Sequence, residues 1–395
     1  MPCAADPHAP RAADPPAAGP VLGPVLGPVL GPVRAEVLPG LDALPADART
    51  LFGADPALGF QSTRAWYERT VADALPDGTQ ALFLLCREGG HERDRPLALF
   101  PLRRGADGAM GGLTTPYTVL YQPLTAPGLD AAGLRAVGRA FGRACRAWPT
   151  LRLDALDAEW PGLAPLLAGA RDAGLATRRF DHFGNWYEDV AGRGWDEYLA
   201  GRPGDLRETV RRKTRACARD PRVSLELVRA PHAPPGALDA AIAAYEEVYA
   251  RSWKEPEPFP RFGPGLMRAA ATAGVLRVGV LRVEGRPVAA QYWTVCDGAA
   301  TVLKLAHDEA FKPLSPGTVL TAHLIRALLD EGVHGLDFGR GDDPYKRSWA
   351  GRRRQRIGVL LIDPRRPAGL AELGRAAAGD LRRWAARRVA GARGA

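Results

Sequence analysis

Hydrophobic residues follow two different spacings along the chain, and stretches of the two kinds alternate. Short apolar runs predict strands, whereas apolar residues three and four positions apart predict helices. In the first half, strands are predicted at QALFLLC (80–86), PLALFPLR (96–103) and TLRLDAL (150–156), and helices at 130–148 and 161–173. Strands that alternate with helices predict an α/β fold, with a mixed sheet of the α+β type.

Three further strands are predicted in the second half, at VLRVGVLRV (275–283), PVAAQYWTVC (287–296) and AATVLKLAH (299–307). Only a few residues separate them, and each connection contains a glycine, Gly285 in the first and Gly298 in the second. Because tight glycine-containing turns join neighbouring antiparallel strands, the three strands are predicted to form a meander.

A helix and a fourth strand follow this meander. Ser315 is a suitable N-cap, Pro316 suits the first helical position, and Gly332 ends the helix. The next strand, VHGLDFG (333–339), follows too closely for anything but a crossover connection to a parallel partner. Because the first half has the same order of elements, we expect two related α/β domains in tandem, the second better preserved.

The chain divides into four predicted segments. Residues 1–40 are rich in Ala, Pro and Gly, and proline punctuates their repeat GPVLGPVLGPVLGPV, so a disordered leader is expected. Residues 41–190 and 191–363 are the two predicted domains, and residues 364–395 form a predicted basic tail helix.

The tail helix is amphipathic, with one apolar stripe among arginines. The stripe consists of Leu370, Leu373, Ala377, Leu381 and Trp384. A basic amphipathic helix can lie on an anionic membrane surface. Apolar stripes more commonly cover a protein core, and we therefore favour packing against the domain.

Composition limits the partners and the compartment. A net charge of +9 and a pI of ≈ 9.6 favour anionic partners, such as nucleotide phosphates, RNA or acidic lipid. The five cysteines are widely spaced and form no CxxC pair, which argues against a disulfide framework and a zinc site. We expect no metal and a cytoplasmic protein, with contact to the inner face of the membrane as an alternative. No apolar run reaches the roughly 18 residues of a spanning helix.

Lysine is rare in this chain, which has 48 arginines and five lysines. Three of the lysines, Lys304, Lys312 and Lys346, lie between Thr301 and Trp349. A lysine ammonium can approach a single oxygen or lose its proton, whereas an arginine fork stays protonated. The cluster marks this stretch as candidate chemistry, with chance proximity as the alternative.

A second basic feature lies in the segment LRETVRRKTRACAR, where arginine recurs every fourth residue. These positions, Arg207, Arg211, Arg215 and Arg219, fall on one face of the predicted helix. A solvated helix face is the common explanation of such a pattern. A basic wall beside an anionic ligand is the functional alternative.

The junction of strand, loop and helix before Val319 suits a phosphate group. A helix N-terminus presents unpaired N–H groups and a partial positive charge. Gly317 allows an anion to approach the backbone closely, and Lys304 and Lys312 add positive charge nearby. Capping alone also explains Ser315 and Pro316, so both interpretations stay open.

Several stretches resemble one protein superfamily. They are FGNWYEDV, YLAGRPGDLRETVRRKTR, GRPVAAQYW, KLAHDEAFKPLSPGTVL and DFGRGDDPYKRSW, which together span most of residues 183–350. They are similar to the GNAT acyltransferases, in the double-domain branch that resembles Fem-type peptidyltransferases and the acetyltransferases associated with bacterial cellulose biosynthesis. Residues before 183 match this branch in element order only.

The resemblance implies transfer of an acyl group from acyl-CoA, with acetyl-CoA as the first candidate, to an amine or hydroxyl by direct attack. It also implies which residues bind the donor. They are Leu303, Lys304 and Leu305 on the strand, and Lys312, Ser315, Gly317 and Thr318 in the loop and helix. In place of the usual glutamine or arginine before a glycine-rich turn, this chain has Ser315-Pro316-Gly317.

Direct attack needs a neutral amine, so a base or a water relay must remove a proton from a group with a pKa near about 10. The candidate bases are Asp308, Asp337, Asp342 and His307. Lys346 is a candidate for stabilising the oxyanion or binding the acceptor, and Tyr345 for protonating the thiolate. Each has a structural alternative: loop capping for Asp308 and Asp342, an ion pair with Arg340 for Asp337, packing for His307 and Tyr345, and an ion pair with a neighbouring aspartate for Lys346.

Acceptor contacts are predicted for four further residues, Arg211, Trp186, Arg340 and Asp342. A cysteine nucleophile is disfavoured, because Cys217 and Cys296 lie at apolar positions of a helix and a strand.

Three functions remain open at this point. The first is an acyltransferase that acts on a small-molecule or saccharide-linked acceptor in cell-envelope polysaccharide or secondary-metabolite biosynthesis. The second is a Fem-type transferase that uses aminoacyl-tRNA, which is the one nucleic-acid partner we retain. The third is a non-catalytic protein that binds an anionic polymer or a membrane surface. No obligate protein partner is predicted.

Overall fold

The computed structural model describes residues 31–89 and 94–392, and over these residues the chain forms one mixed sheet with helices on both faces. The elements of the first half are β1 (Val33–Leu38), α1 (Arg64–Asp73), β2 (Gln80–Glu88), β3 (Arg95–Arg104), β4 (Met110–Gly112), β5 (Leu124–Thr125), α2 (Ala131–Cys145), β6 (Thr150–Asp157), α3 (Leu163–Asp172) and β7 (Ala176–Asp189).

The second half has a matching set of elements. They are α4 (Trp195–Ala200), α5 (Gly204–Arg219), β8 (Val223–Arg229), α6 (Ala237–Ala250), α7 (Phe262–Thr272), β9 (Leu276–Val283), β10 (Arg286–Cys296), β11 (Ala299–His307), α8 (Pro316–Asp330), β12 (Gly335–Arg340), α9 (Pro344–Trp349), β13 (Arg352–Ile362) and α10 (Pro367–Ala392). Short 3-10 segments include Pro56–Ser62 and Glu309–Leu314.

The two halves repeat one topology, as the order of elements predicted. Strands β1 to β4 are antiparallel neighbours, and β6 returns after α2 to pair in parallel with β4. Strands β8 to β11 are likewise antiparallel, and β12 returns after α8 to pair in parallel with β11. In the first half the parallel pair covers two residues of the short β4, so the second half keeps the pattern better.

Two long strands join the halves into a continuous sheet. The order across the sheet is β1-β2-β3-β4-β6-β13-β7-β12-β11-β10-β9-β8, with β5 beside β3. Strand β13 comes last in the chain but lies between β6 and β7 of the first half. The predicted boundary near residue 190 stays a prediction, because β7 pairs with strands of both halves.

Hydrophobic cores lie on both faces of the sheet, which explains why the strands are apolar along their whole length. Alternate residues of a strand point to opposite faces. Phe83 and Leu85 accordingly belong to a core with α1, α6 and α7, whereas Leu84 and Cys86 pack with α2 and α3. A third core joins α4, α5 and α8 to β10, β11 and β12.

Strands β11 and β12 separate soon after they begin to pair. Their parallel pairing covers only Ala299–Thr301 against Gly335–Asp337, whereas β11 keeps its antiparallel partner β10 as far as His307. At Gly339 the backbone adopts φ 70°, and a Cβ there would lie 2.9 Å from the carbonyl oxygen of Val302. Glycine is needed at this contact, and beyond it the edge of β11 that faces β12 is open.

Strand β11 also contains a β-bulge at the point where the gap opens. Tyr292 pairs with Lys304 and the next residue of β10, Trp293, pairs with Val302, so Leu303 is an extra residue without a partner in β10. Bulges leave one residue's backbone groups outside the ladder, and they are common beside active sites. The bulge at Leu303 lies at the start of the open edge.

Three local expectations are corrected. Residues 33–38, assigned to the disordered leader, form β1 and pair with β2, while residues 1–30 lie outside the described residues. Ser315 precedes α8 but makes no capping hydrogen bond, because its backbone adopts φ 52° and ψ 51°. The tail helix α10 forms, but Leu370 is 57% exposed, so this part of the stripe does not cover the core.

Candidate active-site cleft

A cleft of about 920 Å³ opens where β11 and β12 separate, and most of the predicted site residues line it. The predicted residues in its walls are Leu303, Lys304, Leu305, His307, Lys312, Ser315, Gly317, Thr318, Arg340, Tyr345 and Lys346. The sheet edge, the first turn of α8 and helix α9 hold these residues. Tyr117, Trp253 and Lys254, which the sequence did not indicate, complete the walls.

The cleft gathers the lysines of the chain. Lys254, Lys304, Lys312 and Lys346 line it, and the fifth lysine, Lys213 on α5, donates a hydrogen bond to the Pro313 carbonyl at its rim. The three lysines that the sequence places between residues 301 and 349 are therefore joined at the cleft by Lys213 and Lys254. The remaining basic residues of the chain are arginines, so ammonium groups are concentrated at this one place.

The first turn of α8 forms one end of the cleft. The backbone N–H groups of Gly317 and Thr318 lie in the first turn, where a helix offers them no acceptor. The N-cap residue Ser315 offers them no side-chain acceptor either. Lys312 lies beside them with 74% of its side chain exposed and a loose contact of 3.4 Å to Glu309. These features suit an anionic group of a ligand.

Tyr345 reaches the same turn from α9. Its hydroxyl lies 2.7 Å from the Thr321 hydroxyl and 3.3 Å from the Gly317 carbonyl oxygen. Thr321 in turn donates to the Gln291 side-chain oxygen at 3.0 Å, so the tyrosine is the donor toward Thr321. Burial raises the pKa of Tyr345 well above its ordinary value, and the hydroxyl keeps its proton at neutral pH.

His307 lies at the end of the open edge of β11, against the Trp253 ring at a centroid distance of 4.4 Å. Its Nε2 lies 3.2 Å from Glu309, and its Nδ1 is buried without a hydrogen-bond partner. Burial lowers the pKa of this imidazole, so the neutral form is favoured. The ring is part of the wall, but neither nitrogen is directed at the open space, which weakens the prediction of His307 as the base.

Lys346 is held at the opposite wall, below β12. Its ammonium donates to the Arg340 carbonyl oxygen and lies 3.3 Å from Asp343. The predicted aspartate partner is therefore present. Arg340 extends from the end of β12, with its guanidinium 4.7 Å from the centre of the Phe183 ring.

The other face of the sheet contributes a second group of polar residues. Lys304 pairs with Glu257 at 2.7 Å, and the Tyr117 hydroxyl donates to the same carboxylate at 2.7 Å. Burial acts to raise the pKa of Glu257, but hydrogen bonds from Lys304 and Tyr117 outweigh it and lower the pKa. The charge of Lys304 is thus neutralised by Glu257 on this face. The sequence had suggested that Lys304 contacts the donor phosphates, but its ammonium is not free to do so.

Lys254 lies between this group and Lys346, on the loop between α6 and α7. Its ammonium is 5.5 Å from the Trp253 ring and 5.8 Å from the Tyr249 ring. Burial, together with the charges of Lys304 and Lys346, lowers the pKa of Lys254 to about 8. Lys254 lies 50 positions before Lys304, so the rarity of lysine in the chain is its one signal in the sequence.

Two predicted bases are held in ion pairs outside the cleft, and their role as bases stays a prediction. Asp308 is 3% exposed, accepts the N–H of Ala310 and pairs with Arg251 and Arg286, each at 2.8 Å. Asp337 accepts from Asn185 and from the N–H of Gly339, and it pairs with Arg354 rather than with Arg340. Neither carboxylate lines the cleft, because each is occupied by donors that fix the sheet and its loops.

Three of the residues predicted to contact the acceptor do not line the cleft. Trp186 donates to Asp342 at 2.6 Å, and Asp342 pairs with Arg353 at 2.7 Å, so these residues brace the ends of β7 and β13. Arg211 lies on the exposed face of α5 and not in the cleft. Of the four predicted acceptor residues, Arg340 alone lines the cleft in the described part of the chain.

Known proteins match this architecture. The family model of the acetyltransferase (GNAT) domain matches residues 204–347. The crystal structure of FemX aligns with a TM-score of 0.53 at 10% identity, covering 82% of this chain and 96% of that one. The structure of L-PGS from Bacillus licheniformis aligns with a TM-score of 0.50 at 12% identity, covering 85% and 96%. No curated protein sequence matches the chain.

The matched residues 204–347 contain the bulged strand β11, the open gap, α8 and most of α9. At these identities the two solved structures are informative about the fold alone. No helix in the ranges 31–89 and 94–392 combines the length and apolarity needed to cross a membrane. The chain therefore has a double-domain, Fem-like GNAT fold, and its residues 204–347 match the acetyltransferase (GNAT) domain.

Proposed function

We propose that this protein transfers an acyl group from acyl-CoA to an amine or hydroxyl by direct attack, in cell-envelope polysaccharide or secondary-metabolite biosynthesis. The open, bulged edge of β11 carries this proposal, because it faces a cleft that ends at the uncapped first turn of α8. An extended amide-containing arm can pair with such an edge, while a pyrophosphate suits a helix N-terminus.

The donor would occupy the α8 side of the gap. The amides of Leu305 and His307 lie on the part of β11 without a strand neighbour toward β12, where a pantetheine arm can add as a short strand. Gly317, Thr318 and Lys312 would bind the phosphates. Acetyl-CoA is the first candidate for the donor, because the family model that matches residues 204–347 is that of an acetyltransferase (GNAT) domain.

The chemistry then needs three contributions. The acceptor nitrogen or oxygen forms a bond to the thioester carbon, and the developing oxyanion needs a donor, for which a backbone N–H at the bulge around Leu303 is suited. The carbon–sulfur bond breaks, and Tyr345 can give its proton to the departing thiolate. The acceptor's proton leaves to solvent or to a neutral side chain of the cleft, and Tyr345 is reprotonated from solvent.

A thiol-release assay with a series of acyl-CoAs, combined with calorimetry of donor binding, tests this function. Gly317→Val and Lys312→Met should each weaken acetyl-CoA binding by about tenfold, or about 1.4 kcal/mol. A valine at residue 317 would crowd the His307 ring, which lies 3.2 Å from the position of a Cβ. Arg222→Met is the matched control, since this exposed arginine pairs with Asp220 outside the cleft. Absence of both donor binding and thiol release would refute the proposal.

Transfer from aminoacyl-tRNA is the second candidate, and the exposed face of α5 supports it. Arg207, Arg211, Arg215 and Arg219 line a groove of about 560 Å³, and Lys213 on the same helix contacts the cleft rim. A polyanion on this face would reach the mouth of the cleft. Binding of tRNA that falls steeply with salt, together with no acyl-CoA turnover, would favour this candidate. Polymer or vesicle binding with no turnover of either donor would favour the non-catalytic alternative.

A further inference from the structure

The lysines of the cleft differ in whether a carboxylate accompanies them. Lys304 pairs with Glu257 at 2.7 Å, Lys346 with Asp343 at 3.3 Å and Lys312 with Glu309 at 3.4 Å. No carboxylate of the described residues lies within ion-pair distance of Lys254. Its ammonium instead lies near the faces of the Trp253 and Tyr249 rings. One ammonium of the four therefore lacks an anionic partner.

This arrangement is costly for the unliganded protein. Lys254 is half-buried, so part of its hydration is lost, and the two aromatic rings replace only a fraction of it. Burial lowers the pKa of Lys254, and repulsion from Lys304 and Lys346 lowers it further, while the more distant carboxylates Glu257 and Asp343 offset only part of this. An anion placed here would regain a charge-assisted hydrogen bond in a poorly solvated site, where such bonds are strong.

The donor does not account for this position. The features that suit the donor phosphates, Lys312 and the amides of Gly317 and Thr318, lie at the α8 end. Lys254 belongs to the loop between α6 and α7, on the face of the sheet where Lys304 meets Glu257. That face is left for the acceptor, if the donor occupies the α8 side.

We propose that Lys254 anchors the acceptor, and that the acceptor carries a carboxylate or a phosphate in addition to the amine or hydroxyl that is acylated. This inference rests on the proposed acyltransferase function and names the acceptor class for the same cleft. The Trp253 ring is 53% exposed beside the anchor and offers a flat apolar surface to the rest of the acceptor.

Two small series of amines provide the probes. In one, ethanolamine is compared with β-alanine and phosphoethanolamine; in the other, glucosamine is compared with muramic acid and glucosamine 6-phosphate. Binding to the full-length protein is measured by calorimetry without a donor, and acylation is measured separately with acetyl-CoA. Within each series the skeleton is similar and the anionic group changes, so carboxylate and phosphate are distinguished.

We expect the preferred anionic member of at least one series to bind tenfold or more tightly than the member without an anionic group. Lys254→Met should remove this preference, because it keeps the apolar stem and loses the ammonium. Lys254→Arg should retain most of it, and Arg222→Met should retain all of it. The wild type and both Lys254 variants should bind acetyl-CoA alike.

The outcomes separate the inference from the function on which it rests. No advantage of the anionic members in either series, including no binding at all, overturns the anchor. An advantage that persists in Lys254→Met also overturns it, because the charge would then come from another residue. A protein that binds anionic acceptors through Lys254 but neither binds nor uses any acyl-CoA supports the anchor and refutes the proposed donor.

Discussion

Replacing Tyr345 by phenylalanine tests the chemical part of the proposed function. The change removes one hydroxyl and leaves the ring, which packs near Trp349 at a centroid distance of 6.2 Å. If Tyr345 protonates the departing thiolate, kcat should fall by about 10²–10³-fold, within the range typical of general acid catalysis. That loss corresponds to about 2.7–4 kcal/mol of transition-state stabilisation.

The effect on folding should be much smaller. Thr321 keeps its hydrogen bond to Gln291 in the variant, and only the contacts of the tyrosine hydroxyl to Thr321 and the Gly317 carbonyl disappear. The loss of one such hydrogen bond costs about 1 kcal/mol. Tyr198→Phe is the matched control, because Tyr198 is also a buried tyrosine, and its hydroxyl donates to the Trp349 carbonyl away from the cleft.

Thiol release measured at saturating acetyl-CoA and acceptor gives kcat, and urea unfolding gives the stability of each variant. The pKa of Tyr345 is raised, so the acid stays protonated across an assay range of pH 6–9 (about the working range of most buffers) and should impose no fall of kcat on the alkaline side. An unchanged kcat in Tyr345→Phe, or an equal loss in Tyr198→Phe, would refute the role of Tyr345 as the acid.

Three further predictions concern stability and the shape of the cleft. Gly339→Ala should destabilise the protein by about 1–2 kcal/mol in urea unfolding, because φ is 70° and the new Cβ meets a carbonyl oxygen; an unchanged midpoint would contradict the argument. Asp308→Asn should cost about 2 kcal/mol by removing two ion pairs that are partly solvated, with kcat for acyl transfer nearly unchanged; a kcat loss of a hundredfold would restore Asp308 as a base. The pKa of Glu257 is lower in the folded protein than in the unfolded chain, so the ionised carboxylate stabilises the fold. This stabilisation is fully present above the pKa of the unfolded chain, and it is lost as the pH falls through the pKa of the folded protein. Lys304→Met should reduce this acid dependence in unfolding measured between pH 7 and pH 3 (about the range over which carboxylates titrate), and an identical pH profile would count against the pair.

Much of the fold could be predicted from the sequence, because its signals are local. The apolar runs of β9, β10 and β11, with a glycine in each tight connection, predicted the meander that the structure contains. Gly332 likewise predicted the end of α8. Ser315 was a weaker case, since a serine before a helix predicts a cap, but its positive φ directs the side chain away from the first-turn amides.

The candidate site was predictable only in part, because its contacts join residues that are distant in the chain. Lys304 and Lys346 were identified as lysines in a chain dominated by arginine, without knowledge of their partners. Glu257, which neutralises Lys304, lies 47 positions before it. The role of Asp308 likewise depends on Arg251, 57 positions earlier. No periodic pattern in the sequence predicts such pairs.

The open gap itself depends on two features that act at the same level of the sheet. The bulge at Leu303 removes one residue of β11 from the ladder, and the positive φ of Gly339 turns β12 where it meets Val302. Both features lie just beyond Thr301 and Asp337, where the pairing of β11 and β12 ends. The lysines around this gap repel one another, and three carboxylates balance three of the four. Because the remaining charge belongs to Lys254, an anionic acceptor would relieve a repulsion that the fold itself maintains.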